Sequence, residues 1–431
     1  MSTIPNGTYD EYHALLARQD AMRLRRRLLT PAVAGPGPGT GPKAAGRALD
    51  VSSPDGSSYG GSSDQETIRR LLPLVTPFDE LIDHLYRAMF EQHPYLRGLF
   101  PESMDFQRAH LGQAFGYLIE HLDRPEEVTA FCSRLGRDHR KLGVRPVHFE
   151  VFEAALAEAL RRSAGERWVE ELERAWLRMV RFAVAAMVDG ANGSLTEPAY
   201  WNATVTDHQV RGPDVAVLRV RTAEPFPYRA GQFARVQSPL LPGAWRPYTV
   251  ACAPRPDGEL EFHVRMTGPG GVSEALVAHT RVGDVLRLGP AQGSTTLDEA
   301  RDRDLLIVAG GTGWATAKAL IDGLAQSRAP RPTTHLFLGA RTTADLYDTA
   351  TLAALEHRHH PWLRVVPVIG AGRGASEEGS VDAAVARYGD WSRHLAYVSG
   401  PPGMVAAVVR RLTEANLPPD RVRYDPGHGL R

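Results

Sequence analysis

"DLLIVAGGTGWATAKALI", Asp304 to Ile321, is the stretch on which the reading of the fold turns. Its apolar run has strand length and no polar alternation, as expected of a strand buried on both faces. The run enters Gly310-Gly311-Thr312-Gly313 and then a helix-like stretch. Backbone N–H groups and the helix dipole converge at such a turn, where a pyrophosphate could lie. Tight packing alone explains a Gly-rich turn equally well. A second clue is "YVSGPPGM", where another strand ends in Ser399, Gly400, Pro401 and Pro402, at the carboxyl edge where open α/β sheets take ligands.

Working outward, the chain after Arg301 alternates apolar strands ("THLFLGA", "LRVVPVI") with helical stretches, the pattern of a parallel α/β sheet. Upstream, "AVLRVRTA", "GQFARVQS", "RPYTVACA", "LEFHVRM" and "DVLRLGPA" are short, rich in β-branched residues and bounded by Gly, Pro or Asp, as in a small antiparallel barrel. From Gln65 to about Ala191 the periodicity is helical, with "TPFDELIDHLYRAMFEQH" opening on Thr-Pro. Residues 31–64 are so rich in Gly, Pro, Ser and Ala that they read as a linker. Ahead of them, a helical stretch carries Arg23, Arg25, Arg26 and Arg27, either a solvated face or a contact for an acidic surface or lipid. The expected architecture is multidomain α and α/β. An N-terminal arm (1–64) precedes an all-α domain (65–198), an antiparallel β-barrel (199–300) and a parallel α/β domain (301–431).

Composition narrows the function classes. Lys plus Arg and Asp plus Glu are 50 each, so there is no electrostatic footprint for a nucleic-acid duplex. Cys132 and Cys252 belong to no CxxC pair, which argues against a disulfide framework or zinc cage. The longest apolar run, "FAVAAMV", is far short of the roughly 20 residues that span a bilayer. The expectation is a cytoplasmic protein, a monomer or weak dimer, with no integral membrane segment.

In "RPYTV", period two aligns Arg246 with Tyr248, and Thr249 follows. A guanidinium beside an aromatic ring suits a flavin dinucleotide, cation to phosphate and flat face to ring; the plainer alternative is an exposed strand. "GPGGVSEAL" adds Gly270, Gly271 and Ser273 at a helix start, a second anion cradle. The order "AGQF", "RPYTV", "GGVSEAL", "GDVLRLGPAQG", "AGGTG", "GAR" and "SGPPGM" resembles the ferredoxin-reductase family over roughly Val205 to Leu430. The resemblance implies FAD, with Arg246 on the pyrophosphate, Tyr248 on the ring, Thr249 hydrogen-bonded to the flavin, and Gly270, Gly271, Val272 and Ser273 closing on the phosphates. It also implies NADH or NADPH at Gly310, Gly311, Thr312 and Gly313 and at Ser399 to Met404. Three positions depart from the family: Ser399 stands where a Cys is usual, Trp314 replaces a smaller residue, and the C-terminal element reads "RYDPGHGLR", leaving Tyr424, Asp425 and His428 to cover the flavin.

"DHRKLGVRPVHFEVF" holds two histidines. His139 closes a helical run just before Gly143, near aromatic and apolar residues at Tyr86, Phe90, Leu99, Phe100, Leu111 and Phe115. With "LYRAMFEQHPYLRGLF", "FQRAHLGQAF" and "ERAWLRMVRFAV", this region resembles the globin domain of flavohaemoglobins, where globin, FAD and NAD(P) domains occur in this order. That resemblance implies a haem b with His139 as the iron ligand and His148 as an ordinary helix residue. It places Tyr86 beside bound O₂, Gln107 and Leu111 on the distal helix, and Phe100 against the porphyrin. In well-studied members a Tyr and a Glu surround the proximal histidine; here those positions are Phe149 and about Ala191, with Asp189 nearby. A weaker electron push to the iron follows.

The expected activity is NO dioxygenation, with O₂ and NO as substrates and electrons from NAD(P)H. One alternative is a haem–flavin oxidoreductase with another donor or acceptor; another is a haem gas sensor docking through residues 1–64. Arg341 leaves NADH and NADPH open, since it fits either a 2′-phosphate contact or a solvated loop.

Overall fold

The computed structural model describes residues 61–101, 104–297, 303–327, 330–370 and 379–424. The basic N-terminal stretch, Asp425 and His428 lie outside them. The described residues pack into two compact units: one takes residues 61–100, 104–128 and 147–183, the other residues 101 and 129–146 and the described residues from 184 onward.

The first unit is helical. It holds α1 (Ser62–Leu71), α2 (Phe78–Gln92), α3 (Asp105–His121), α5 (Pro146–Ala164) and the first half of α6 (Glu170–Gly193). Asp79 and Glu80 in the first turn of α2 complement its dipole. Leu81, Ile82, Leu85, Ala88 and Met89 share its buried face, as the period of 3.6 requires. They enter a core with Ile68, Phe115, Leu156 and Trp176, where each buried Leu, Ile, Met or Phe side chain contributes about 1.5–3 kcal/mol. The Phe115 and Trp176 rings meet in a T-shaped pair at 5.2 Å between centroids. Helix α1 begins at Ser62, inside the stretch that composition assigns to a linker. Asp64 explains why: it is buried, and the Arg178 guanidinium spans its carboxylate from Nε to Oδ2 at 3.0 Å and from Nη2 to Oδ1 at 2.5 Å.

The second unit begins with most of α4 (Pro125–His139) and the end of α6. These helices cross backbone to backbone. A Cβ on Gly136 would fall on the Met187 carbonyl and one on Gly190 on that of Ser133, so glycine is needed at both positions. A six-stranded antiparallel sheet follows in the order β4-β3-β6-β1-β2-β5: β1 Trp201–Val210, β2 Val215–Thr222, β3 Phe233–Gln237, β4 Arg246–Thr249, β5 Glu259–Arg265 and β6 Val285–Leu288. A bridge between Val250 and Phe262 joins its two edges into a barrel. Trp201, Val205, Leu218, Val236, Leu260, Phe262 and Leu288 fill the interior.

The remainder is a five-stranded parallel sheet, β11-β10-β7-β8-β9: β7 Leu305–Gly310, β8 Thr334–Ala340, β9 Leu363–Ile369, β10 Leu395–Ser399 and β11 Val422–Arg423. All six residues of β7 are buried, as its unbroken apolar run requires. One face packs on α7 (Trp314–Gln326) and α8 (Thr349–His359) through Trp314, Leu320, Leu352 and Leu355. The other packs on α9 (Val381–Tyr388) and α10 (Pro402–Glu414) through Val385, Val405, Val408 and Leu412. The chain passes from β7 outward to β8 and β9, then returns to β10 on the far side of β7. That reversal opens a crevice at the carboxyl ends of β7 and β10.

Candidate functional site

In the helical unit α2 supplies Tyr86 and Phe90, and Phe100 follows the short helical segment Pro94–Leu99. Tyr86 stacks with Phe90 at 5.9 Å and meets Phe100 edge-on at 5.6 Å; Phe90 and Phe100 are 5.3 Å apart. Burial pushes the Tyr86 phenol well above its ordinary range, more than Arg108 lowers it, so it stays a proton donor at any physiological pH. Gln107 and Leu111 lie one turn apart on α3, both partly buried. Gln107 Oε1 is buried without a hydrogen-bond partner. A polar atom so placed suits a pocket whose ligand supplies the missing contact. His148 sits in the first turn of α5, 6.3 Å from the Tyr95 ring between centroids.

His139 ends α4 in the second unit. Its Nδ1 lies 2.8 Å from the Leu135 carbonyl, which fixes the Nδ1–H tautomer and leaves the Nε2 lone pair for a metal. Burial is the largest influence on the ring and holds it below the usual histidine range, although Asp138 pulls the other way. A neutral ring is the ligand form, so these residues fit a haem iron. The ring's bonded partner is a carbonyl rather than a carboxylate, and Asp189 is exposed. Asp138 turns instead to the barrel. Its carboxylate takes a short contact from Lys141 Nζ and a 2.7 Å hydrogen bond from Gln292 Nε2, with Arg235 Nε at 3.6 Å. Lys141 Nζ lies 5.3 Å from the Trp245 ring centroid.

The barrel residues follow from the ladder. Phe233 pairs with Thr249, Ala234 with Tyr248 and Val236 with Arg246, so Arg246 and Tyr248 share one face of β4. Burial lowers the Arg246 pKa, the direction that a bound phosphate would reverse, and raises that of Tyr248. Gly270 has φ +74°, and its N–H donates to Glu274 at 2.5 Å. Val272 is part of the barrel core, and the Ser273 hydroxyl accepts the Thr267 N–H at 3.1 Å. The Glu274 and Ser273 side chains brace this loop.

At the crevice, packing accounts for most of the glycines. A Cβ on Gly310 would strike Met404 Sδ, one on Gly313 the Ser399 carbonyl, and one on Gly400 both Met404 and Gly310. Gly311 differs: at φ +54° it has open space around it, the condition for a phosphate to approach the backbone. Thr312 and Gly313 lead from it into α7. Beside it a recess is lined by Trp314, Gly339, Asp345, Tyr347 and Asp348. Trp314 is accommodated because its indole is buried and donates to Asp348 at 2.9 Å. Pro401 caps α10. Tyr424 packs with the cluster of Val398, Val405 and Val422 beneath the sheet.

Two residues close to these groups carry no motif. Thr316, in the first turn of α7, has its hydroxyl 3.2 Å from that of Thr249 and 3.0 Å from that of Ser399. Glu261, on β5, is buried and joins β5 to α7 through Lys318 at 3.1 Å. Strand alternation in "LEFHVRM" marks Glu261 as either solvent-facing or core; only its partners decide which.

Residues 83–187 match the globin family, 202–296 the oxidoreductase FAD-binding domain and 307–410 the oxidoreductase NAD-binding domain. The reductase component, ferredoxin–NAD(P)(+), of the naphthalene 1,2-dioxygenase system of Pseudomonas putida is 31% identical over 248 residues, covering 56% of this chain and 73% of that protein. A flavohemoprotein of Halalkalibacterium halodurans is 22% identical over 411 residues, 84% of this chain and 95% of its own. The crystal structure of a flavohemoglobin from Malassezia yamatoensis with bound FAD and haem shares the fold with a TM-score of 0.69 at 16% identity, covering 84% of this chain and 98% of that one. With globin, FAD-binding and NAD-binding families in succession and a flavohemoprotein aligned over nearly its whole length, the chain belongs to the flavohaemoproteins, oxidoreductases that join a haem-carrying globin to an FAD- and nicotinamide-dependent reductase.

Proposed function

We propose that the protein oxidises NAD(P)H and uses the electrons for NO dioxygenation, converting NO and O₂ to nitrate. When bound, the nicotinamide supplies a hydride, FAD divides the electron pair, and haem iron takes electrons singly and offers a site for O₂. His139 holds the iron through Nε2, with the ring oriented by Leu135. Tyr86 keeps its proton and presents a donor for a diatomic ligand that draws negative charge, while Phe90 and Phe100 exclude water around it. Gln107 offers a second polar group, and Leu111 an apolar one, on the distal helix. On the reductase side Arg246, Tyr248, Thr249 and the 270–273 backbone hold FAD, and Gly311 with the ends of β7 and β10 takes the nicotinamide nucleotide. The observation that carries this reading is the buried Tyr86 phenol within its aromatic wall. Rapid mixing of the oxygenated protein with NO, with nitrate measured, tests it; the expected result is stoichiometric nitrate within the mixing time, and slow or absent nitrate formation would refute it.

The carbonyl partner of His139 favours a second reading. Without a carboxylate hydrogen-bonded to the ring, the push toward the iron is weaker. Under that reading the same cofactors serve another donor or acceptor, such as a quinone or a small organic acid. Anaerobic flavin reduction by NADH, NADPH and such donors, compared in rate, separates the two.

A further inference from the structure

Near the carboxyl end of β10 lies a chain of three hydroxyls drawn from three elements: Thr249 at the end of β4, Thr316 in the first turn of α7 and Ser399 at the end of β10. The separations are 3.2 Å and 3.0 Å, both hydrogen bonds. Thr316 is 5% exposed, and its β-branched side chain is stiff at χ1, so its hydroxyl is held between the other two. The contacts span 67 and 83 residues of sequence, and Thr316 lies outside the glycine turn of its stretch.

A hydroxyl has one proton and two lone pairs. When Thr316 donates to Ser399 it accepts from Thr249, and the Ser399 proton is left to point outward. When it donates to Thr249 it accepts from Ser399, and the outward proton belongs to Thr249. A donor at one end of the chain therefore goes with an acceptor at the other. One end belongs to the flavin strand, the other to the edge where the nucleotide binds. An oxidised flavin ring offers a bare nitrogen, which accepts; the reduced ring carries N–H there, which donates.

We propose that Thr316 is a positioning residue that couples Thr249 to Ser399, so that the redox state at the flavin strand sets the hydrogen-bond sense offered to the nucleotide. This rests on the reading of the module as a nicotinamide–flavin reductase. By linkage, nucleotide affinity then differs between the oxidised and reduced protein, and bound nucleotide shifts the flavin potential by the same factor.

The test uses the full chain and the flavin midpoint potential, measured without nucleotide and with saturating NAD⁺ or NADP⁺, whichever reduced form supports turnover. Thr316→Val keeps the shape and deletes the hydroxyl; Thr316→Ser restores it. The nucleotide-induced shift should shrink in Thr316→Val by about fivefold in affinity ratio, the order of one neutral hydrogen bond. That is about 20 mV for a two-electron couple. It should return in Thr316→Ser. A wild-type shift in Thr316→Val overturns the proposal, as does a Thr316→Ser protein that behaves like the valine variant. If the valine variant fails to retain flavin, Ser399→Ala serves instead, with the same loss expected and an unchanged shift decisive against it. Failure of both NADH and NADPH to reduce the wild-type flavin would overturn the underlying reading as well, an outcome distinct from normal reduction with an unaltered shift.

Discussion

A single ring nitrogen bonded to a helix carbonyl leaves the other nitrogen of His139 directed for the ligand role proposed above. Replacing His139 by alanine should abolish the haem absorption band while flavin absorption persists, as recorded on the purified protein. Tyr86→Phe removes one buried donor, worth about 1–2 kcal/mol, so O₂ should leave roughly tenfold faster in flash photolysis. Nucleotide preference is also decided by side-chain contacts. Asp345 accepts from the Thr342 N–H and hydroxyl at 3.0 Å each, lies 3.7 Å from Arg341, and lines the recess beside Gly311. An acidic group there favours a ribose hydroxyl and repels a 2′-phosphate, while Arg341 is 84% exposed. NADH should be preferred, and Asp345→Ser should raise kcat/KM for NADPH about tenfold or more; steady-state kinetics with ferricyanide as acceptor decide it. His139 and Tyr86 were singled out as candidates by motif order. Asp345 was not, because "GARTTADLYD" alone does not show which polar residue faces the recess.

Among the elements, the segment carrying His139 matters most, since residues 129–146 group with the end of α6 and the reductase in the second unit. Asp138 meets Gln292 and Arg235, and Lys141 meets Trp245. These partners flank β4: Arg235 stands opposite Pro247, Trp245 precedes Arg246, and Gln292 bridges to Phe233, the partner of Thr249. Burial alone would raise the Asp138 pKa, but Lys141 and Arg235 outweigh it and hold the carboxyl below its usual range. In Asp138→Asn, NADH should reduce the flavin at the wild-type rate while haem reduction slows several-fold in anaerobic stopped flow. Peptides covering 129–146 should exchange deuterium faster, by about the 1–3 kcal/mol of a charged hydrogen bond. Equal slowing of both steps would rule out a role confined to the junction. The helix ending at His139 could be read from its periodicity; its attachment to a barrel edge could not, because Gln292 is 154 residues away.

Across the reductase as a whole, a buried charged network ties barrel to α/β sheet. Glu261 accepts from His263 at 3.0 Å and from Arg219 at 3.2 Å; Lys318 of α7 reaches it and the Ala251 carbonyl, each at 3.1 Å. His263 continues to Tyr347 at 2.9 Å. Burial would raise the Glu261 pKa, but His263 and Lys318 override it and hold the carboxyl far below the carboxylate range. A depressed folded pKa means that stabilisation is fully present above the unfolded value of about 4.3 and is lost as pH falls from there toward the folded value. Glu261→Gln leaves Lys318 buried with a weaker partner, a loss of about 2–4 kcal/mol at neutral pH. Thermal melts should show a constant gap from wild type between pH 8 and about 5.5, narrowing below about pH 4.3. A gap that widens in acid would contradict this assignment.

The amino-acid order by itself determined the helical, barrel and α/β segments and their succession, because apolar periodicity, unbroken strand runs and glycine turns act over a few residues. Only the tertiary structure decided that Thr249, Thr316 and Ser399 meet, that Asp138 turns from the histidine beside it to the barrel, and that Glu261 is buried against Lys318. The physical reason is range. Backbone preference and amphipathic period are written locally, whereas a hydroxyl or carboxylate finds its partner only after distant strands and helices have packed.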